Sequence, residues 1–127
     1  MNYRIRAYPW AGQESHVNIS IQGRLNPREL KAILHKIKAL TETLTKCKFL
    51  IDLSDARLRL DPLDIQFFVS ECASDEWFHG SKVALVSASE SQPQLLSLAA
   101  SLANRGFKIA AFDNAKLATD WLTETIW

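Results

Sequence analysis

The run Cys47-Lys48-Phe49-Leu50-Ile51-Asp52-Leu53-Ser54 decides how the rest of the chain is read. Its apolar residues are consecutive at Phe49-Leu50-Ile51 rather than alternating, and the run is too short for a separate helix. Strands covered on both faces have this pattern, so a central strand is predicted over Cys47 to Leu53.

Working outward, the segment before it carries a helix signal. Asn26-Pro27-Arg28-Glu29 offers an N-cap, a proline at the first helical position and a glutamate placed to close a capping box. Leu30, Ile33, Leu34, Ile37, Leu40 and Leu44 follow at spacings of three and four, predicting an amphipathic helix to about Thr43. Further back, Tyr3, Ile5 and Ala7 alternate with Arg4 and Arg6, and Val17, Ile19 and Ile21 alternate with His16, Asn18 and Ser20. With a turn over Pro9 to Gln13, these two stretches predict an antiparallel hairpin whose first strand lies at an edge.

Downstream, Asp61-Pro62-Leu63-Asp64 repeats the cap-then-proline signal, and Leu63, Phe67, Phe68 and Cys72 carry an apolar pattern to about Glu76. Val83-Ala84-Leu85-Val86 predicts a buried strand, Gln92 to Asn104 a helix stopped by Gly106, and Phe107 to Phe112 a last strand. A final helix runs from Asn114 to the C-terminus through Leu117, Ala118, Trp121, Leu122 and Ile126. This alternation places the chain in the α/β class. It predicts a mixed, mostly parallel five-stranded sheet with an N-terminal antiparallel hairpin and helices on both faces. At 127 residues the expectation is one domain over 1–127.

Composition agrees with a globular domain: 47% hydrophobic, 23% charged, four Gly and four Pro. No apolar run reaches the ~18 residues of a membrane span, and the N-terminus lacks a signal-peptide pattern, so a cytoplasmic protein without a membrane span is expected. Cys47 and Cys72 have no CxxC spacing and no nearby histidine, which points to buried reduced thiols rather than a metal or catalytic site. Residues 1–60 hold 11 Lys/Arg against 5 Asp/Glu, whereas residues 61–127 hold 4 against 9, so the halves carry +6 and −5. The near-neutral total of +1 argues against nucleic acid as a partner. The asymmetry suits a nucleic-acid face or two molecules meeting head to tail, with solvated helix faces the favoured reading, and Lys31, His35 and Lys38 are read as a solvated face.

Ligands in open α/β sheets usually sit beyond the carboxyl ends of the strands. Those ends are expected to present Gly23 and Arg24, Ser54 and Asp55, Ser87 and Ser89, and Asp113 and Asn114 along one rim. No histidine is among them, so no Ser-His-Asp set can be assembled, and local hydrogen bonding in loops and helix starts is the favoured explanation of these residues. The glycine-rich phosphate loops are absent, so no cofactor is implied. Asp52 invites comparison with a phosphoacceptor receiver domain. Gly23 and Arg24 stand where the acidic pair would be, however, and Lys108 begins the last strand rather than ending it.

Several strings, in this order, resemble the SpoIIAA-like, STAS-related family of small bacterial domains over nearly the whole chain. They are Ile19-Ser20-Ile21-Gln22-Gly23-Arg24-Leu25, Phe49-Leu50-Ile51-Asp52-Leu53-Ser54, Lys82-Val83-Ala84-Leu85-Val86, and Phe112-Asp113-Asn114-Ala115 running on to Ala118, Trp121 and Leu122. The resemblance implies a non-catalytic regulatory or protein-interaction domain. Anti-sigma antagonists of this kind carry a phosphorylatable serine at the start of the helix after the central strand. Asp61 or Pro62 stands there in this chain, and Ser54 would be a displaced acceptor. A protein partner or self-association is therefore expected, through a surface of Ser54, Asp61, Asp64, Trp77 and Phe78, with Phe67 and Phe68 beside it. The wider superfamily also resembles lipid-transfer domains, which makes carriage of a small apolar ligand between sheet and helices the alternative. An enzyme using the rim Ser and Asp residues ranks third.

Overall fold

A computed structural model describes residues 3–10, 13–41, 48–73, 81–88 and 91–124. Along the chain lie β1 (Tyr3–Trp10), β2 (Gln13–Leu25), α1 (Pro27–Thr41), β3 (Lys48–Leu58) and α2 (Pro62–Ala73). Then follow β4 (Lys82–Ser87), α3 (Gln92–Ala103), β5 (Lys108–Phe112) and α4 (Ala115–Glu124). The strands form one sheet in the order β1-β2-β3-β4-β5, with β1 antiparallel to β2 and every other neighbouring pair parallel. The expected α/β class, mixed sheet and two-sided helical cover are all present.

Local chemistry explains the element boundaries. Glu29 N donates to Asn26 Oδ1 at 2.9 Å, and Leu117 N donates to Asn114 Oδ1 at 2.9 Å, so each asparagine satisfies an otherwise orphaned amide of the helix it begins. Gly106 ends α3 with a φ of +93°, while Gly106 N reaches Ala103 O at 3.0 Å and Phe107 N reaches Leu102 O at 3.2 Å. A left-handed residue at this position is what closes a helix on its own carbonyls.

Three strands run longer than their sequence patterns suggest; β2, read over His16 to Gln22, spans Gln13–Leu25. Pro9, read as a turn, lies within β1, where an edge strand tolerates a residue lacking an N–H. β3 continues past Leu53 to Leu58 because it contains a bulge. Ser20 pairs with Asp52 and Gln22 with Asp55, leaving one extra residue on β3. Ser54 and Asp55 are both exposed there, after which Ala56 and Leu58 return to the core. Two consecutive polar residues look like the end of a strand in a one-dimensional pattern.

Strand order decides where the helices go. Each parallel crossover steps one strand in the same direction, and crossovers of one hand stepping one way stack on one face. Accordingly Ile33 and Ile37 of α1, Ile65 and Val69 of α2, and Leu95, Leu98 and Leu102 of α3 share one core with Ile19, Ile21, Phe49, Ile51, Val83 and Leu85. We call this the inner face. α4 connects no strand pair and takes the opposite, outer face, where Ala118 and Leu122 pack with Leu50, Ala84 and Val86.

Candidate functional site

The sequence places four pairs of polar residues on one rim, but the sheet separates them. Pairing of β3 with β4 ends at Leu53 and Ser87, whereas β2 and β3 continue together to Leu25 and Leu58. Gly23, Arg24, Ser54 and Asp55 therefore lie inside strands rather than at strand ends. Ser87 is buried and hydrogen-bonded to Gln92, and Ser89 lies outside the described residues. Asp113 accepts a hydrogen bond from Asn114 Nδ2 at 3.1 Å beside the α4 cap. The start of α3 closes over the unpaired edge of β3: Leu58 N donates to Ser91 Oγ at 3.5 Å, and nearby Leu60 N donates to Gln94 Oε1 at 3.2 Å. Because the strand order never reverses, the sheet also lacks the switch-point crevice in which open α/β folds hold ligands.

Ser54 is exposed, and both its amide (2.9 Å) and its hydroxyl (2.5 Å) donate to Asp52 Oδ1. A phosphate on this serine would stand against Asp52 and Asp55, an unfavourable like-charge setting. Asp61 and Asp64 sit at the start of α2 in a reciprocal cap, with Asp64 N donating to Asp61 Oδ1 at 2.9 Å and Asp61 N to Asp64 Oδ2 at 3.0 Å. Both carboxylates thus satisfy first-turn amides and complement the positive end of the helix. Asp52 and Ser54 point outward while α2 covers the inner face, so the sheet stands between Ser54 and the Asp61–Asp64 pair. Trp77 and Phe78 lie outside the described residues.

What the structure does assemble is a groove of about 270 Å³ between α1 and α2, lined by Pro27, Arg28 and Lys31 on one side and Asp64, Phe67, Phe68 and Glu71 on the other. Lys31 Nζ spans it to Glu71 Oε1 at 3.1 Å. On α2, Leu63 is 59% and Phe67 66% exposed, one turn apart. The sequence reading put Leu63 and Phe67 on the apolar stripe of this helix. The structure turns the helix so that Ile65, Val69 and Cys72 fill the core and Phe68 is half-buried. The signal was present in the i, i+4, i+7 spacing of those three residues, but it competed with an equally regular Leu63–Phe67 pair.

Beneath the same helices lies a cavity of about 70 Å³ between the inner face and α1 to α3. Its walls, including Leu34, Ile51, Phe68, Leu85, Leu98 and Ile109, are apolar throughout. On the outer face His16, Lys48, Lys82 and Lys108 stand in register at the amino ends of the parallel strands. The His16 pKa is lowered from the usual 6.5 by burial and by the charge of Lys48. Lys82, which sequence reasoning missed, is 1% exposed; its Nζ donates to Trp121 O at 2.7 Å and lies 4.3 Å from the Trp121 ring centre. Its only signal was a lysine opening an otherwise apolar strand. No helix among the described residues is long and apolar enough to cross a membrane.

Comparison with known proteins follows the same outline. Residues 16–123 match the family model described as SpoIIAA-like. A solved structure of an uncharacterized protein from the DUF3478 family with a SpoIIAA-like fold, from Shewanella loihica PV-4, superposes with a TM-score of 0.55. The two sequences are 16% identical, and the alignment covers 95% of this chain and 94% of that chain. At that identity the likeness concerns the fold alone. No curated protein matches the chain.

Proposed function

The chain belongs to the SpoIIAA-like family, and from that premise we propose that residues 1–127 act as a single, cytoplasmic, non-catalytic regulatory or protein-interaction module of the STAS-related type. It docks a protein through α2 and the adjoining α1–α2 groove. The observation that carries this reading is the exposed Leu63–Phe67 pair, two large apolar side chains held in water on the first two turns of a doubly capped helix. Exposed apolar surface beside a groove is the usual mark of an interaction site. The start of α2 reads Leu60-Asp61-Pro62-Leu63-Asp64, without a serine. Docking there is accordingly not switched by serine phosphorylation at that turn. The distribution of Ser54, Ser87 and Asp113 among separate hydrogen-bond sets favours binding over catalysis.

The apolar cavity supports a second reading, carriage of a small apolar ligand. Its 70 Å³ is under half of the ~150 Å³ that accommodates one benzene, so a lipid-sized cargo would need the helices to lift from the sheet. Native mass spectrometry of the purified protein decides this point: a retained apolar adduct supports carriage, and a bare chain removes it.

Affinity capture tests the principal reading. A partner enriched by the wild-type chain is expected to be lost with Leu63→Ser/Phe67→Ser and kept with Ser54→Ala. Retention of the partner by the α2 double variant refutes docking through this surface, as does a wild type that enriches neither another protein nor an untagged copy of itself.

A further inference from the structure

The α1–α2 groove is the seam along which the basic first half of the chain meets the acidic second half. Arg28 and Lys31 form its α1 wall, Asp64 and Glu71 stand on its α2 wall, and Phe67 rises from the acidic side with two thirds of its surface in water. A groove with a basic wall on one side and an acidic wall bearing an exposed aromatic ring on the other is complementary to itself. We propose that this groove pairs with the same groove of a second copy of the chain, forming a two-fold dimer. The proposal rests on the interaction-module reading and names its partner.

Charge selects the symmetry. A two-fold axis running along the groove places the basic wall of each copy opposite the acidic wall of the other, twice over. An axis running across the groove would set like charges together, an arrangement that is strongly repelled. Only the first arrangement satisfies both walls. In it the Phe67 ring of each copy enters the opposing groove beside Phe68, where a desolvated aromatic ring is the kind of anchor that dominates binding. The Lys31–Glu71 pair is half-exposed and weak as a surface ion pair, so little is lost when its charges are shared across the interface.

Sedimentation equilibrium of the full chain tests this, with circular dichroism confirming that each variant is folded. Wild type is expected to show a monomer–dimer equilibrium, and Phe67→Ser to weaken it at least roughly thirtyfold. Arg28→Glu/Lys31→Glu makes both walls acidic, and Glu71→Lys tips the groove basic; each variant alone is expected to be monomeric, and an equimolar mixture to dimerise. A wild-type chain that stays monomeric at high micromolar concentration overturns the proposal. So does a dimer indifferent to Phe67→Ser, or a mixture that does not recover association. If the chain is monomeric yet the α2 double variant still loses a captured protein, self-pairing falls while the interaction-module reading stands.

Discussion

Among the described residues, the inner face of the sheet carries three helices and an apolar core drawn from β2, β3, β4 and β5, whereas α4 alone covers part of the outer face. The outer cluster rests on Leu50, Ala84 and Val86, and beyond it Asn18 and Ser20 are partly open and Arg4 and Gln22 exposed on the β1–β2 side. The inner layer is held by apolar area. The outer helix, with less area, is also held by a polar clamp: Lys82 donates to Trp121 O, placing a cation on the carbonyl-rich end of α4 and beneath the Trp121 ring. A buried ammonium is tolerated only where its hydrogen bonds are supplied, and the last turn of α4 supplies them. Unequal cover thus yields two modes of attachment, one area-driven and one partly electrostatic.

The sharpest way to break this comparison is Phe49→Ala. Phe49 is 1% exposed at the centre of the inner core, and its truncation is expected to lower stability by about 3–5 kcal/mol in urea unfolding. A loss under 1 kcal/mol would mean that the inner layer is not the main support. Lys82→Ala is expected to cost about 1–3 kcal/mol, since it removes the donor to the part-buried Trp121 carbonyl and the buried Leu122 carbonyl. Its signature is local: hydrogen exchange should accelerate in α4 more than in α1, α2 or α3. Uniform acceleration would show that the two faces are not independently attached.

The smallest effect concerns His16, beside Lys48 on the outer face. Its folded pKa is below 6.5, so on acidification the unfolded chain takes up a proton first and is favoured. The contribution of His16 to stability is therefore complete above pH 6.5 and declines as pH falls through 6.5 toward the lower folded value. Thermal melts between pH 7.5 and pH 5, values chosen to span the ordinary histidine range of about 6.5, should show this decline, and His16→Gln should flatten it. A wild-type stability that rises on acidification over that interval would reverse the assigned direction.

The order of elements was legible because each carries its own local instruction: Asn26, Asp61 and Asn114 before helices, Gly106 after one, and consecutive apolar residues in β3 and β4. These signals act through a residue's immediate neighbours, so a linear reading captures them. The interruption at Ser54-Asp55 was read as a strand end because a bulge and a terminus look alike until the neighbouring strand shows pairing on both sides of it. The capping roles of Asp61 and Asp64 were legible in their spacing, and Asp64 also lines the groove, while Leu63 was assigned to the wrong side of α2 because two apolar spacings competed.

The amino-acid sequence by itself determined the class, the succession of strands and helices, and the chemistry of each helix start, since these depend on periodicity and on hydrogen bonds reaching three or four residues. Only the tertiary structure decided which distant groups share a surface. Stepwise strand order put three helices together, bringing Arg28 and Lys31 to Asp64 and Glu71, and set Ser54 on the opposite side of the sheet. Such neighbours are chosen by how whole layers pack, and no local spacing records that choice.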